Sequence, residues 1–135
     1  MTSSQRALAA FWVAAGLNHF VNPRAYEAIM PDYVPAHKEM VRWSGIAEIV
    51  GGLAVIPAAT RRPFARWWLI GVLTAVFPAN VHMALHPERY SKIPEPALWA
   101  RLPLQLVAAW WVWRATAAPE PRVAESPEPS AAAAG

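Results

Sequence analysis

Eight polar side chains interrupt otherwise apolar sequence: Asn18, His19, Ser44, Glu48, Asn80, His82, Arg101 and Gln105. Glu48 is the sharpest of them, because it stands in the middle of residues 43–56, where the only other polar side chains are Trp43 and Ser44. A carboxylate in such a setting is costly unless a cation or hydrogen-bond donors compensate it. In a membrane such groups face a bundle interior or a water-filled cavity. Arg101 is the natural counter-ion, and Gln105, four residues on, shares its helix face. His82 or Asn80 would support the pair. These two are about 200° apart around a helix, so they do not both point at it unless Pro78 distorts the turn. A bound metal would need His19, His82 and Glu48 to converge, and no metal is expected. A His or Arg donor beside aromatic walls such as Phe20, Phe77 and Trp99 suits the carbonyl head group of a quinone or a similar lipid-soluble ring compound. The plainer reading of Glu48 and Arg101 is an ion pair that only holds helices together.

Four apolar blocks must position these groups: residues 7–21, 40–57, 63–85 and 98–118. A hydrocarbon core of about 30 Å needs roughly 17 to 25 helical residues, so the last three suffice and the first must borrow residues 4–6. Arg6 ahead of an apolar stretch also has the form of a signal peptide, but Asn18-His19-Phe20 stands where small residues would be needed for cleavage. Asn22-Pro23 ends the first helix. Residues 23–30 lie between prolines and read as a short interfacial helix, with Tyr26, Ile29 and Met30 facing lipid or bundle. Residues 60–63, Thr-Arg-Arg-Pro, form a tight turn that makes the second and third helices antiparallel neighbours. The fold expected is therefore all-α, a four-transmembrane-helix bundle spanning 1–118. The Pro/Glu/Ala-rich tail, 119–135, cannot bury a core and is expected to be disordered.

Composition agrees. Of 135 residues 56% are hydrophobic and 16% charged, against about a quarter charged in soluble chains. There is no cysteine, which excludes disulfides, thiolate metal sites and dithiol redox chemistry. The net charge of +3 comes from residues scattered near block ends and reads as lipid head-group contact rather than nucleic-acid binding. Four spans place both termini on one side. Arg61, Arg62 and Arg66 in the shortest connection put that side in the cytoplasm. Trp67, Trp68, Trp110, Trp111 and Trp113 would mark this interface, Trp43 and Trp99 the other. Counting about 1.5 Å per residue from the far interface puts Asn18, His19, Asn80, His82 and Arg101 roughly 5 to 9 Å down, and Glu48 and Gln105 roughly 13 to 14 Å down. All four helices thus carry polar groups in the same half of the bundle, beneath the connection formed by residues 23–35.

Gly16-Leu-Asn-His-Phe20, the segment with Pro23, Tyr26 and Met30-Pro31, Ser44-Gly-Ile-Ala-Glu-Ile-Val-Gly-Gly-Leu53, Phe77-Pro-Ala-Asn-Val-His-Met83 and Arg101-Leu-Pro-Leu-Gln105 together resemble the DoxX-like family. The resemblance runs from the first helix through the fourth. It implies a small four-helix protein of the bacterial cytoplasmic membrane, related to subunits of a thiosulfate:quinone oxidoreductase. Relatives proposed to exchange disulfides need cysteines, which this chain lacks. Three functions follow. The first is a redox-linked subunit that binds a quinone-like molecule while a membrane or soluble partner carries the electrons, so that the chain is not an enzyme on its own. The second is a non-catalytic assembly or anchoring protein, alone or as a homo-oligomer. The third, a proton or small-solute pathway, lacks polar residues in the cytoplasmic half.

Overall fold

A computed structural model describes residues 1–117, and among these the chain is helical with no strand. Residue 118 and the tail, 119–135, lie outside the described residues, and with them the expectation of disorder. The first helix, α1 (Ser3–Val21), starts further upstream than the apolar block does. Thr2 supplies the reason: its hydroxyl accepts from the Gln5 N–H while the Gln5 side chain accepts from the Thr2 N–H, a reciprocal cap. The short helix α2 (Pro23–Ala28) follows directly, with proline in its first turn. Next, α3 (His37–Ala54) begins after Ala36, which holds a left-handed conformation at φ 51°.

The turn expected at residues 60–63 lies earlier. Pro57 stops α3, and by Ala58 the chain is helical again: α4 (Ala58–Thr60), a π-helical turn (Arg61–Ala65) and α5 (Arg66–Leu85) run on as one helix of 28 residues. Pro63 sits inside the π turn, whose wider ring tolerates the missing donor. Side chains from this segment close the end of α3. Thr60 donates to the Ala54 carbonyl at 2.7 Å, and Arg61 donates to the carbonyls of Val55 and Ile56, both at 2.7 Å. A short 3₁₀ turn (Pro87–Tyr90) leads into α6 (Glu95–Ala115). By length and composition the helix over Ala58–Leu85 is the one among the described residues that could cross a membrane; α1, α3 and α6, with 19, 18 and 21 residues, do not reach that measure.

The helices associate as two tight pairs, α1 with α3 and α5 with α6. Glycine makes the first pair close. A Cβ on Gly16 would stand 2.6 Å from the Gly45 carbonyl oxygen, and one on Gly45 would stand 2.8 Å from His19 Cβ. A Cβ on Gly52 would lie 2.9 Å from the Val13 nitrogen, so α1 and α3 run antiparallel with their backbones nearly touching. Gly51 faces the other way, towards Leu69 and Trp68. The second pair is joined by side chains. Arg66 donates to Thr116 Oγ1 at 2.9 Å and to the Trp113 carbonyl at 3.3 Å, with its guanidinium 4.3 Å from the Trp113 ring. Gln5 adds a bond to the Ala115 carbonyl at 3.0 Å. Between the pairs, at the end nearer the termini, Leu8, Trp12, Val55, Leu69, Leu73 and Val112 form an apolar core.

The glycine contacts predict a graded result. Gly16→Ala and Gly45→Ala should each lower stability by about 1–3 kcal/mol, the usual cost of overpacking, in thermal melts. Gly71→Ala should cause no loss, since a Cβ there meets nothing within 4 Å and alanine favours the helix by up to about 1 kcal/mol.

Candidate functional site

A cavity of about 180 Å³ opens between the two helix pairs beside α2, at the end away from the termini. Its polar lining is His19 from α1, Tyr26 from α2, Ser44 and Glu48 from α3, Asn80 from α5 and Arg101 from α6. Ile29, Met30, Val41, Val76, Ala79 and Met83 complete the wall. Five of the eight sequence candidates therefore meet in one place. Gln105 lies just behind them, accepting from Asn80 Nδ2 at 2.8 Å.

The pairing within the cavity differs from the expected Glu48–Arg101 ion pair. Glu48 Oε1 is 3.4 Å from His19 Nε2, and Arg101 donates instead through Nε to Asn80 Oδ1 at 3.2 Å. The close approach of α1 to α3 explains the first choice: in this antiparallel pair His19 and Glu48 stand on opposite sides of the Gly16–Gly45 contact, and each side chain leans back towards its own helix N-terminus, where the two meet. Arg101, by contrast, belongs to the α5–α6 pair. There Pro78 removes the N–H that would bond the Thr74 carbonyl, and Gln105 Nε2 reaches the adjacent Leu73 carbonyl. Gln105 is thereby fixed, Asn80 is fixed by Gln105, and Asn80 orients Arg101.

Two contacts fix the His19 ring. Nδ1 donates to the Val41 carbonyl at 3.0 Å, since that oxygen can only accept, and Nε2 is the nitrogen turned to Glu48. Glu48 Oε2 is buried without a hydrogen-bond partner in the protein. The Tyr26 ring stacks on His19, centroids 3.7 Å apart, and Asn18 Nδ2 donates to the Tyr26 hydroxyl at 2.8 Å. Asn18 thus lies outside the cavity and holds in place the tyrosine that covers it.

His82 is also outside. It faces away from Asn80, as their angular separation requires, and packs against Tyr33, His86 and Tyr90, with His86 stacked at 4.2 Å. Above this cluster Arg89 pairs with Asp32 and ties the two connecting loops together. Burial raises the Tyr90 hydroxyl above its ordinary range, and Asp32 adds to the shift. His82 therefore does not converge with His19 and Glu48, and among the described residues no three metal-ligating side chains form a cluster. The expected aromatic walls are also corrected: Phe20, Phe77 and Trp99 turn outward, and Tyr26 supplies the ring. Tyr26, Ile29 and Met30 face the bundle, which their spacing on α2 left undecided between bundle and lipid.

Double-mutant cycles separate the two pairings. His19→Ala with Glu48→Gln should show a coupling of about 1–3 kcal/mol in thermal unfolding, while Glu48→Gln with Arg101→Gln should be nearly additive. A larger coupling for the second cycle would restore the ion pair expected from sequence.

Compared with curated proteins and with solved structures, the chain matches none. Residues 8–116, from the buried Leu8 through the buried Thr116 that anchors Arg66, match one family model, and the chain belongs to the family described as Domain of unknown function (DUF8561).

Proposed function

We propose that the chain is an integral membrane protein of DoxX-like type whose four long helices cross the bacterial cytoplasmic membrane, with α2 at the interface and the termini in the cytoplasm. In this role it is a quinone-associated accessory subunit that acts with a redox partner. The observation that carries the reading is the inverted polarity of the bundle. His19, Arg66, Gln105 and Thr116 are buried, while Phe11, Leu17, Trp43, Leu53, Trp67, Leu104, Leu106, Val107 and Trp110 are exposed on the outside. Such a continuous apolar exterior calls for lipid or protein around it. At about 1.5 Å per residue α1, α3 and α6 are about 27 to 32 Å long, matched to a hydrocarbon core of about 30 Å. The cavity fits a small oxygen-bearing head group: Arg101 supplies donors, His19, Glu48 and Ser44 add polar contacts, and the apolar walls suit a ring or tail. The chain's own residues hold and orient the ligand, and the electrons come from the partner.

The Asn80, Gln105 and Arg101 bonds favour a second reading, a non-catalytic assembly or anchoring protein in which the same amides join α5 to α6. A proton or solute pathway is third, since Leu8, Trp12, Leu69 and Val112 fill the half nearer the termini.

Reporter fusions test the topology. A cytoplasm-dependent reporter at the C-terminal tail and a periplasm-dependent one within residues 92–95 should both be active, and activity of the periplasmic reporter on the tail would reverse the orientation. Native mass spectrometry of protein released gently from membranes tests the ligand. A quinone-class molecule should co-purify, be lost in Asn80→Ala and be kept in His82→Ala. A lowered melting temperature with an unchanged set of bound molecules would favour the assembly reading.

A further inference from the structure

Arg101 is the cation of the cavity, and Glu48, the acid there, is turned to His19, 3.4 Å from its Nε2. Tyr26, Ser44 and Asn80 bring no charge, and no acidic side chain among the described residues lies within ion-pair distance of Arg101. The acids that do form pairs are accounted for elsewhere: Asp32 with Arg89, Glu39 with Arg42. The Arg101 guanidinium is therefore a cation without a paired acid in a half-buried space with apolar walls. Its Nε is committed to Asn80, so the guanidinium edge bearing the two terminal nitrogens is the part left to meet a ligand.

We propose that this cavity takes an amphiphile whose oxygen head group carries a single negative charge, set against Arg101. The inference rests on the reading of the cavity as a lipid-accessible ligand site and adds the charge state of the occupant. A guanidinium edge matches two oxygens of a carboxylate, or the adjacent carbonyl and ionised hydroxyl of an acidic quinone, through paired charge-assisted bonds. Glu48, held beside His19, lies beyond ion-pair distance of Arg101 and leaves that guanidinium edge to the ligand. Ile29, Met30, Val76 and Met83 then receive the apolar body.

The test compares two matched pairs of ligands on the full-length protein in a non-ionic detergent at neutral pH. Dodecanoate is set against dodecanol, and a hydroxynaphthoquinone that is ionised at this pH against unsubstituted naphthoquinone. At least one anionic member should bind about tenfold more tightly than its neutral partner by calorimetry. Preference for dodecanoate alone would identify an acyl carboxylate as the occupant, and preference for the ionised quinone a quinone-class one. Arg101→Lys should keep the preference and Arg101→Gln should erase it. Equal binding within both pairs, or no binding by either anion, would overturn the inference on the unmutated protein, whatever the variants do. Neutral naphthoquinone binding as well as the ionised form would leave the quinone reading standing while this one fell. Binding of dodecanoate with neither quinone would do the reverse.

Discussion

The contact between the backbones of Gly16 and Gly45 sets the geometry on which the cavity depends. With no Cβ at either position α1 and α3 can approach until carbonyl and Cα are in van der Waals contact, and Gly52 continues the approach against Val13. Side chains one turn away are then carried to fixed places. His19 meets both the Val41 carbonyl and Glu48. A bulkier α1–α3 contact would move the imidazole away from the carboxylate and leave a buried acid without compensation, which is far more costly than a tight glycine contact.

The two ends of the bundle solve different problems. Near the termini the task is to satisfy helix ends. Arg61 and Thr60 bond the last carbonyls of α3, and Arg66 and Gln5 bond those of α6, so cations sit where the helix dipoles are negative. Once these groups are satisfied, the remaining space is filled by apolar side chains. At the other end polar groups are brought inward and bonded to each other across helices. The chain from the Leu73 carbonyl through Gln105 and Asn80 to Arg101 supports a cation from the backbone of α5.

Much of this was legible in the sequence. Apolar block lengths gave four long helices, the prolines around residues 23–31 gave the short one, and counting residues from the far helix ends put the polar groups in one half of the bundle. Partner choice was not legible, because depth along a helix says nothing about which neighbour it faces. Charge complementarity alone favours Glu48 with Arg101; the glycine contact, visible only once α1 and α3 are placed together, favours His19. Gly16 and Gly45 were the available signal. The turn was misplaced for a related reason: Thr60-Arg-Arg-Pro63 reads as a connection, but a π turn absorbs Pro63, and Pro57 stops α3 instead. The angle between Asn80 and His82 was informative from the start, since it required one of them to leave the cluster.

Each half of the molecule keeps its own polar bonds. His19 and Glu48 are held within α1 and α3, Asn80, Gln105 and Arg101 within α5 and α6, and the cavity lies along the seam between the two halves. Beyond the bonds near the termini, two polar contacts cross it among the described residues: Trp68 Nε1 donates to the Ala47 carbonyl at 2.8 Å, and Arg89 pairs with Asp32 in the connections. Between these two ties the halves can part by the small shear motions typical of packed helices while the bonds within each half stay intact. The seam gives a guest from the side a way in, with Tyr26 of α2 as the piece that must move first.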